Sequence, residues 1–436
     1  MSVQELLDKI KQKKAKVGII GLGYVGLPLA VTFAKGGFDT YGFDINQSRV
    51  NRVKKGESYI LDVPQAQLRQ VLAKKKLTVS ADFAAIKKVD AVIICVPTPL
   101  KERKEPDVSY IVSAVDNIKK YMKKGQLVVL ESTTYPGTTE EIILPALESR
   151  GFKEGKDFYL AFSPERVDPS NAKYKTENTP KVIGGVSAQS GAVARALYAG
   201  VIQKVVVASS AKVAEMSKLL ENTFRIVNIA LVNELLLMCE KLGVDVWEVI
   251  DVAKTKPYGF MPFYPGPGVG GHCIPVDPIY LSWKARHYGF VARFIELASA
   301  VNSQMPHYVV ERITKALNVQ KKPLKGSKIL IVGVAYKKDV KDLRESPALD
   351  IITILQNAGA CVSYYDPLLP YLKIDHIDLK SVPFSAKSFS DKDCVVIVTD
   401  HSVVDYEFIL THASLILDTR NVMKDLKGRK EKVVRL

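Results

Sequence analysis

The chain has 436 residues, 47% of them hydrophobic and 25% charged. That is too long for one hydrophobic core, so two or three domains are expected, and the composition excludes a disordered or fibrous chain. A net charge of +16 raises nucleic acid as a partner, but the lysines are scattered (Lys11 to Lys16, Lys74 to Lys76, Lys321 to Lys328, Lys424 to Lys432) and no helix-turn-helix, zinc-finger or RRM pattern accompanies them; a solvated basic surface or an anionic small molecule accounts for the charge.

Met1 to Lys16 reads as a charged helical segment without the apolar core of a signal peptide, and no apolar run reaches membrane-span length. Five cysteines lack CxxC spacing and six histidines form no HExxH or Cys/His cluster. Free thiols in a reducing cytoplasm and no metal site are therefore expected, with no membrane partner.

In chain order, Val17 to Ile20 is a short apolar strand that runs into Gly21-Leu22-Gly23-Tyr24-Val25-Gly26 and then a helical pattern. Strand, GxGxxG and helix in that order are the dinucleotide fingerprint in its required context. Gly21 permits the tight turn, Gly23 lets the backbone approach a pyrophosphate, and Gly26 lets the helix pack on the strand. A second strand, Thr40 to Phe43, ends in Asp44, twenty-one residues beyond Gly23. An acid there takes the adenosine ribose hydroxyls and repels a 2′-phosphate, so NAD is expected.

Three more strands end in polar loops: Ala91 to Val96 before Thr98, Gln126 to Glu131 before Thr133, and Phe158 to Phe162 before Glu165. Each of these three residues alone is as readily a turn former or a helix cap. Together, beyond the carboxyl ends of successive strands, they mark a ligand cleft edge. From about Ser209 the pattern becomes one long helix, apolar on most sides and expected to be buried. It carries Lys218 and Asn222 one turn apart, with Asn233 and Glu234 beyond.

The run from Pro265 to Pro278 places Gly266, Gly268, Gly270 and Gly271 just before Cys273, and Asp277 four residues after it. Glycine and proline exclude a helix or a central strand here. The cysteine is either a buried structural thiol or a nucleophile beside a backbone that leaves room for a substrate; the glycines and Asp277 favour the second. Tyr280 to Val301 reads as a further helical stretch. After a linker at 323–326 a second Rossmann-like half begins. It lacks GxGxxG but has Lys337 and Arg420 available for the phosphates of a different nucleotide.

The stretches GLGYVGLPLA, CVPTP, STTYPGTT, FSPERVDP, the Lys218 to Glu234 helix, GVGGHCIPVDP and VGVAYKKDVKDLRESP occur in this order. With them the chain resembles the UDP-glucose/GDP-mannose dehydrogenase family over nearly its whole length. Within that family, HCIPVDP and the preceding KPYGFMPFYPGPG resemble the branch acting on UDP-N-acetylhexosamines, UDP-N-acetyl-D-glucosamine above all. The resemblance implies an α/β fold with two Rossmann-like domains joined by a long central helix and a helical middle domain, divided at 1–208, 209–315 and 316–436. It implies four-electron oxidation of the sugar C6 alcohol by NAD, through a cysteine thiohemiacetal and thioester, for surface-polysaccharide precursors. It also implies a homodimer or higher homo-oligomer built on the central helix.

The resemblance further implies roles residue by residue. Cys273 is the nucleophile, Lys218 stabilises oxyanions, Asp277 works with Lys218 through a water, and Asn222 lies beside the sugar. Glu165 and Thr133 serve thioester hydrolysis. Gly21, Gly23, Tyr24, Val25, Gly26, Asp44, Thr98 and Thr133 hold NAD. Glu165, Arg166, Lys218, Asn222, Gly270, Tyr336, Lys337 and Arg420 hold the substrate. UDP-glucose enzymes of the family carry an arginine sixteen residues before the cysteine, where this chain has Pro257, which argues against UDP-glucose. UDP-N-acetyl-mannosamine, UDP-N-acetyl-galactosamine and UDP-glucose are the alternatives. A β-hydroxyacid dehydrogenase would leave residues 320–436 unexplained, and a non-catalytic nucleotide-sugar binder would not need Cys273, Lys218 and Asp277.

Overall fold

The computed structural model describes residues 1–436 apart from Leu61, 102–104, Val167, 169–170, Ala172, Asp375 and Arg429, so Val167 and Pro169 of the FSPERVDP stretch lie outside the described residues. The chain folds into two compact units, Met1–Glu221 with Ile279–Phe290 and Asn222–Pro278 with Val291–Leu436.

The first unit is built on an eight-stranded sheet in the order β3-β2-β1-β4-β5-β6-β7-β8. Its strands are β1 (Lys16–Ile20), β2 (Asp39–Phe43), β3 (Leu77–Ser80), β4 (Ala91–Ile94), β5 (Gln126–Leu130), β6 (Phe158–Phe162), β7 (Lys181–Gly185) and β8 (Val205–Ala208). All neighbours run parallel except β6 and β7. The period-two alternation of a strand explains the apolar runs: Leu127 and Val129 of β5 enter one core layer, Val128 and Leu130 the other. Helices cover both faces, as a parallel sheet requires. The order reverses between β1 and β4, where a doubly wound sheet opens its ligand crevice.

The second unit contains a five-stranded sheet, β10-β9-β13-β14-β15, and a separate hairpin, β11-β12. These strands are β9 (Lys328–Val332), β10 (Cys361–Tyr365), β11 (Tyr371–Ile374), β12 (Ile377–Lys380), β13 (Cys394–Ile397), β14 (Ile416–Asp418) and β15 (Val433–Arg435). The five-stranded sheet is parallel throughout. Its core is continuous with Trp247, Ile250, Val309 and Ile313 from the helices Val246–Ala253 and Arg293–Val319.

Three expectations are revised. The helical stretch from Tyr280 to Val301 is two helices, Asp277–Arg286 and Arg293–Val319. Gly289, at φ +70°, sits in the break between them, a conformation that ends helices. The central helix Ala211–Leu242 is not buried all round: Phe224, Leu231, Met238 and Leu242 are 47%, 60%, 51% and 68% exposed, spaced by a helical repeat. That same helix is, by length and composition, long and apolar enough to cross a membrane. It buries Glu215, Asn222 and Asn233, each hydrogen-bonded to another part of the protein, as a helix built into a protein core does.

Candidate active site

The loop after β1 shows why three glycines stand at 21, 23 and 26. Gly21 has φ +90°, and a Cβ there would lie 2.6 Å from the carbonyl oxygen of Cys95. A Cβ on Gly26 would lie 1.8 Å from the carbonyl oxygen of Gly21, so any side chain would stop the helix Gly26–Lys35 from crossing the loop. Gly23 differs: a Cβ there would meet nothing within 4 Å. The first and third glycines serve chain crossing, whereas the second faces open space. Val25 caps the helix without any side-chain hydrogen bond. Tyr24 stands exposed at the loop tip.

Asp44 is buried at the end of β2. Its carboxylate accepts from Leu22 N at 2.9 Å and Asn46 N at 2.8 Å, with Arg49 at 3.6 Å. The acid thus braces the loop. These residues fit a dinucleotide with free ribose hydroxyls.

Beyond β4, Thr98 is buried and its carbonyl accepts from the Tyr280 hydroxyl, which also reaches Pro99 O at 3.0 Å. Beyond β5, half-buried Thr133 lies in a loop held by Glu215 of the central helix. Glu215 accepts from Gly137 N, from Thr139 N at 2.9 Å and from Thr139 Oγ1 at 2.7 Å. Burial raises its carboxyl against these bonds. Tyr135 of this loop packs on Trp283 at 5.1 Å between centroids and under the Lys284 ammonium at 4.9 Å.

Beyond β6, Glu165 accepts from Arg166 N at 2.7 Å through one oxygen and lies 3.3 Å from Lys181 Nζ through the other. Arg166 turns away to Glu221 and to Pro180 O, so it secures the strand-end loop. Lys218 is half-buried on the central helix.

In the second unit the cysteine loop is built around its glycines. Cβ atoms on Gly270 and Gly271 would press on Tyr336 at 2.8 and 2.7 Å, and one on Gly266 would meet Arg420 Nη1 at 2.8 Å. At Gly270, where a Cβ would also lie 2.5 Å from the Glu345 carbonyl oxygen, and at Gly271, whose φ is +89°, only glycine fits. Asn233 Oδ1 accepts from Gly266 N at 2.9 Å, while its amide donates to Asn302 Oδ1 at 2.9 Å. Gly271 N donates to Arg344 O at 2.9 Å.

The loop closes in a turn in which Cys273 O accepts from Val276 N at 3.2 Å and Asp277 N at 2.9 Å, and the helix Asp277–Arg286 starts there. Cys273 is exposed, unlike the buried thiols of Cys95, Cys239 and Cys394. Asp277 is buried and accepts from the Asn222 side-chain amide. Burial and the Arg344 guanidinium hold the adjacent His272 below its ordinary range, so its imidazole is neutral near pH 7. Lys337 is half-buried, and Arg420 donates from Nε to Val398 O at 2.8 Å.

The second unit therefore assembles Cys273, Asp277, Asn222, Gly270, Tyr336 and Arg420. The first assembles the dinucleotide loop, Asp44, Thr98, Thr133, Glu165 and Arg166. Several supports were not singled out from sequence. Glu215, Asn302, Tyr280 and Lys181 are far in the chain from what they hold, and only the polar residues on the apolar central helix gave a signal.

A fingerprint loop facing open space, a buried acid at the end of the second strand and an exposed thiol on a glycine-lined turn are features that a nicotinamide-dependent oxidoreductase would use. Residues 15–202, 212–304 and 330–425 match the NAD binding domain, the central domain and the UDP binding domain of the UDP-glucose/GDP-mannose dehydrogenase family. The chain is 37% identical to a UDP-N-acetyl-D-glucosamine 6-dehydrogenase of Pseudomonas aeruginosa, over 89% of this chain and 91% of that one. It is also 37% identical to a UDP-N-acetyl-D-mannosamine dehydrogenase of Pyrococcus horikoshii, over 94% and 96% of the two chains. A solved structure of a UDP-D-ManNAc dehydrogenase from Pyrococcus horikoshii superimposes with a TM-score of 0.86 at 34% identity, covering 96% of this chain and 98% of the other. The chain belongs to the UDP-glucose/GDP-mannose dehydrogenase family and is an NAD-dependent UDP-sugar dehydrogenase.

Proposed function

We propose that the protein oxidises the C6 alcohol of a UDP-N-acetylhexosamine, UDP-N-acetyl-D-glucosamine first, to the uronic acid, for a surface-polysaccharide precursor. The observation that carries this reading is the exposed Cys273 on a glycine-lined turn one helical turn ahead of the buried Asp277–Asn222 pair. A relative acting on UDP-N-acetyl-D-glucosamine and Pro257 in place of an arginine support the sugar. UDP-N-acetyl-D-mannosamine is the second reading, because a relative of equal identity and the superimposed structure carry that name.

When bound, NAD accepts the hydrides that a four-electron oxidation releases. The chain's own residues do the rest. A water held by Lys218 and Asp277 takes the alcohol proton. The Cys273 thiolate adds to the aldehyde carbon and keeps the aldehyde from escaping between the two oxidations. The Lys218 ammonium stabilises each oxyanion, and Asn222 orients the sugar while holding Asp277. Glu165, with Thr133, positions the water that hydrolyses the thioester. Lys337, Arg420, Tyr336 and Gly270 hold the UDP end, with Arg166 supporting the Glu165 loop. The working division is 1–208 for NAD, 209–315 for the cysteine loop and dimerisation, and 316–436 for UDP.

The exposed stripe of Phe224, Leu231, Met238 and Leu242 supports a second copy of the chain as its cover. The lack of paired cysteine motifs supports the cytoplasm. Steady-state rates on the UDP-N-acetylhexosamines and UDP-glucose test the substrate, with Cys273→Ser as the mechanistic control. We expect the acetylated sugars to lead in kcat/KM, and Cys273→Ser to lose uronate formation by at least about 1,000-fold. Preference for UDP-glucose, or uronate formation by Cys273→Ser at the wild-type rate, would refute the reading.

A further inference from the structure

Behind Glu165 lies a buried charge cluster that the mechanism above does not use. Glu131 follows β5 directly and is 0% exposed, and Lys181, which opens β7, is 5% exposed. Lys181 Nζ lies 2.9 Å from Glu131 Oε2 and 3.3 Å from Glu165 Oε2. The other oxygen of Glu131 accepts from the hydroxyl of buried Tyr198, and the Lys181 ammonium sits 5.7 Å from the centre of that ring. The backbone N of Lys181 donates to Lys204 O at 2.9 Å. Arg166 clamps Pro180 O, the residue before it, at 3.0 Å. The lysine can therefore neither swing to solvent nor slide along its strand.

From this geometry we infer that Lys181 is a positioning residue for hydrolysis, an ammonium fixed by Glu131 and Tyr198 that sets where the Glu165 carboxylate stands. The inference rests on the proposed role of Glu165.

Stability does not explain the cluster. Taking the Glu131 carboxyl and the Lys181 ammonium out of water carries a desolvation cost before pairing, and well-packed apolar residues of the same volume serve a core as well or better. What an apolar trio cannot do is hold a carboxylate oxygen at a fixed place. Arg166 N grips one Glu165 oxygen and Lys181 the other, so the carboxylate plane is set from two sides. Glu131 keeps the lysine from collapsing onto Glu165 alone. Burial opposes charge on Lys181, but the two carboxylates outweigh it and hold the ammonium above its ordinary range. It thus stays charged at neutral pH.

In the step concerned, the water oxygen bonds to the acyl carbon. The C–S bond breaks with its electron pair on Sγ of Cys273, and the water proton passes to the Glu165 carboxylate. No oxidant is consumed. A misplaced Glu165 should slow this step and leave the two oxidations before it intact.

The test compares Lys181→Met, Lys181→Arg and Glu165→Gln with the wild type. It uses the whole enzyme with saturating NAD and a UDP-N-acetylhexosamine. The first-turnover burst of NADH is read by stopped flow, and acyl-Cys273 is read by intact mass after acid quench. Because Lys181→Met strands the buried Glu131 carboxyl, Lys181→Met with Glu131→Gln, which leaves no ionisable group at either position, is run beside it as the folding safeguard.

We expect Lys181→Met and the double variant to keep a burst of two NADH per site. Their steady-state turnover should fall by about 100-fold or more, with acyl-enzyme accumulating as in Glu165→Gln. Lys181→Arg should recover part of the turnover. If Glu165→Gln accumulates acyl-enzyme and neither Lys181→Met nor the double variant does, the positioning role is wrong and the role of Glu165 stands. If Glu165→Gln does not accumulate it, both fall together. A burst lost in proportion to turnover in both lysine variants would reduce Lys181 to a structural residue.

Discussion

The two Rossmann-like halves use one template and finish it differently. In each, a glycine with positive φ follows the first strand against the carbonyl of a neighbouring strand end: Gly21 against Cys95 O at 2.6 Å, and Gly333 against Thr399 O at 2.2 Å, measured from a Cβ built on each. In each, an acid at the end of the next strand accepts from the loop backbone: Asp44 from Leu22 N at 2.9 Å, and Asp366 from Val334 N at 2.8 Å.

Each acid also accepts from the backbone two residues on, Asp44 from Asn46 N at 2.8 Å and Asp366 from Leu368 N at 2.9 Å. There the likeness stops. Asp366 adds Ala335 N at 3.3 Å, Leu369 N at 3.1 Å and buried His401 at 3.2 Å, where Asp44 adds the exposed Arg49 at 3.6 Å. Where the first half has Gly23 and Gly26, the second has Ala335 and Lys338. The carbonyl of Ala335 is tied to Thr399 Oγ1 at 2.6 Å. The first loop is left open for a ligand, and the second is closed by its own side chains. A strand order alone therefore does not say what a Rossmann-like half binds. The saturation of the acid and the second glycine do.

The comparison can be broken at its closed end first. Asp366→Ala strands four backbone donors and His401, so we expect a loss of about 3–4 kcal/mol in denaturant unfolding with NAD affinity unchanged. Opposing its burial, His401 and the backbone donors hold the Asp366 carboxyl below its ordinary range. Its contribution is therefore present above the unfolded carboxylate range and lost as pH falls through the lower folded value. An Asp366→Ala variant of unchanged stability would show that the second half does not depend on this closure.

At the open end, Gly23→Asp should fold normally, because a Cβ there meets nothing within 4 Å. It should lose NAD affinity by about 100-fold by calorimetry through carboxylate–phosphate repulsion, with UDP binding unaffected. A smaller effect should separate the ligands from the other side. Lys337→Ala should weaken UDP by about tenfold and leave NAD untouched, one phosphate charge contact being removed. Equal weakening of both ligands would erase the functional contrast between the halves.

The smallest effect is in pH. Burial pushes the Glu131 carboxyl up to about 7, against the pull of Lys181. A raised carboxyl contributes stability that is complete below its unfolded value, near 4.5, and lost as pH rises through about 7. The stability difference between wild type and Glu131→Gln should therefore shift against the wild type between pH 5 and pH 8. A difference that is flat or rises would contradict the assignment.

Much of this was legible in the residues. The fingerprint loop, Asp44 and the strand ends at Thr98, Thr133 and Glu165 follow from local pattern, because apolar runs and glycines report the backbone directly. The glycines before Cys273 were legible as a close approach, but not what approaches. Tyr336 and Arg420 arrive from 66 residues beyond Gly270 and 154 residues beyond Gly266. Lys181 was hidden for the same reason: one lysine at the start of an apolar strand looks like a solvated strand end until β5 and β6 bring two carboxylates to it. The surplus of apolar residues between Phe224 and Met238 was legible on the central helix, but not which of them the chain itself covers, because apolar residues look alike whether the chain or another copy buries them.

The central claim, that one thiol carries a substrate through two oxidations, is tested most directly by the NADH formed per mole of limiting nucleotide sugar. The account predicts two equivalents on a UDP-N-acetylhexosamine, with the uronate as sole product. One equivalent, with release of the aldehyde, would contradict it and remove the role assigned to Cys273.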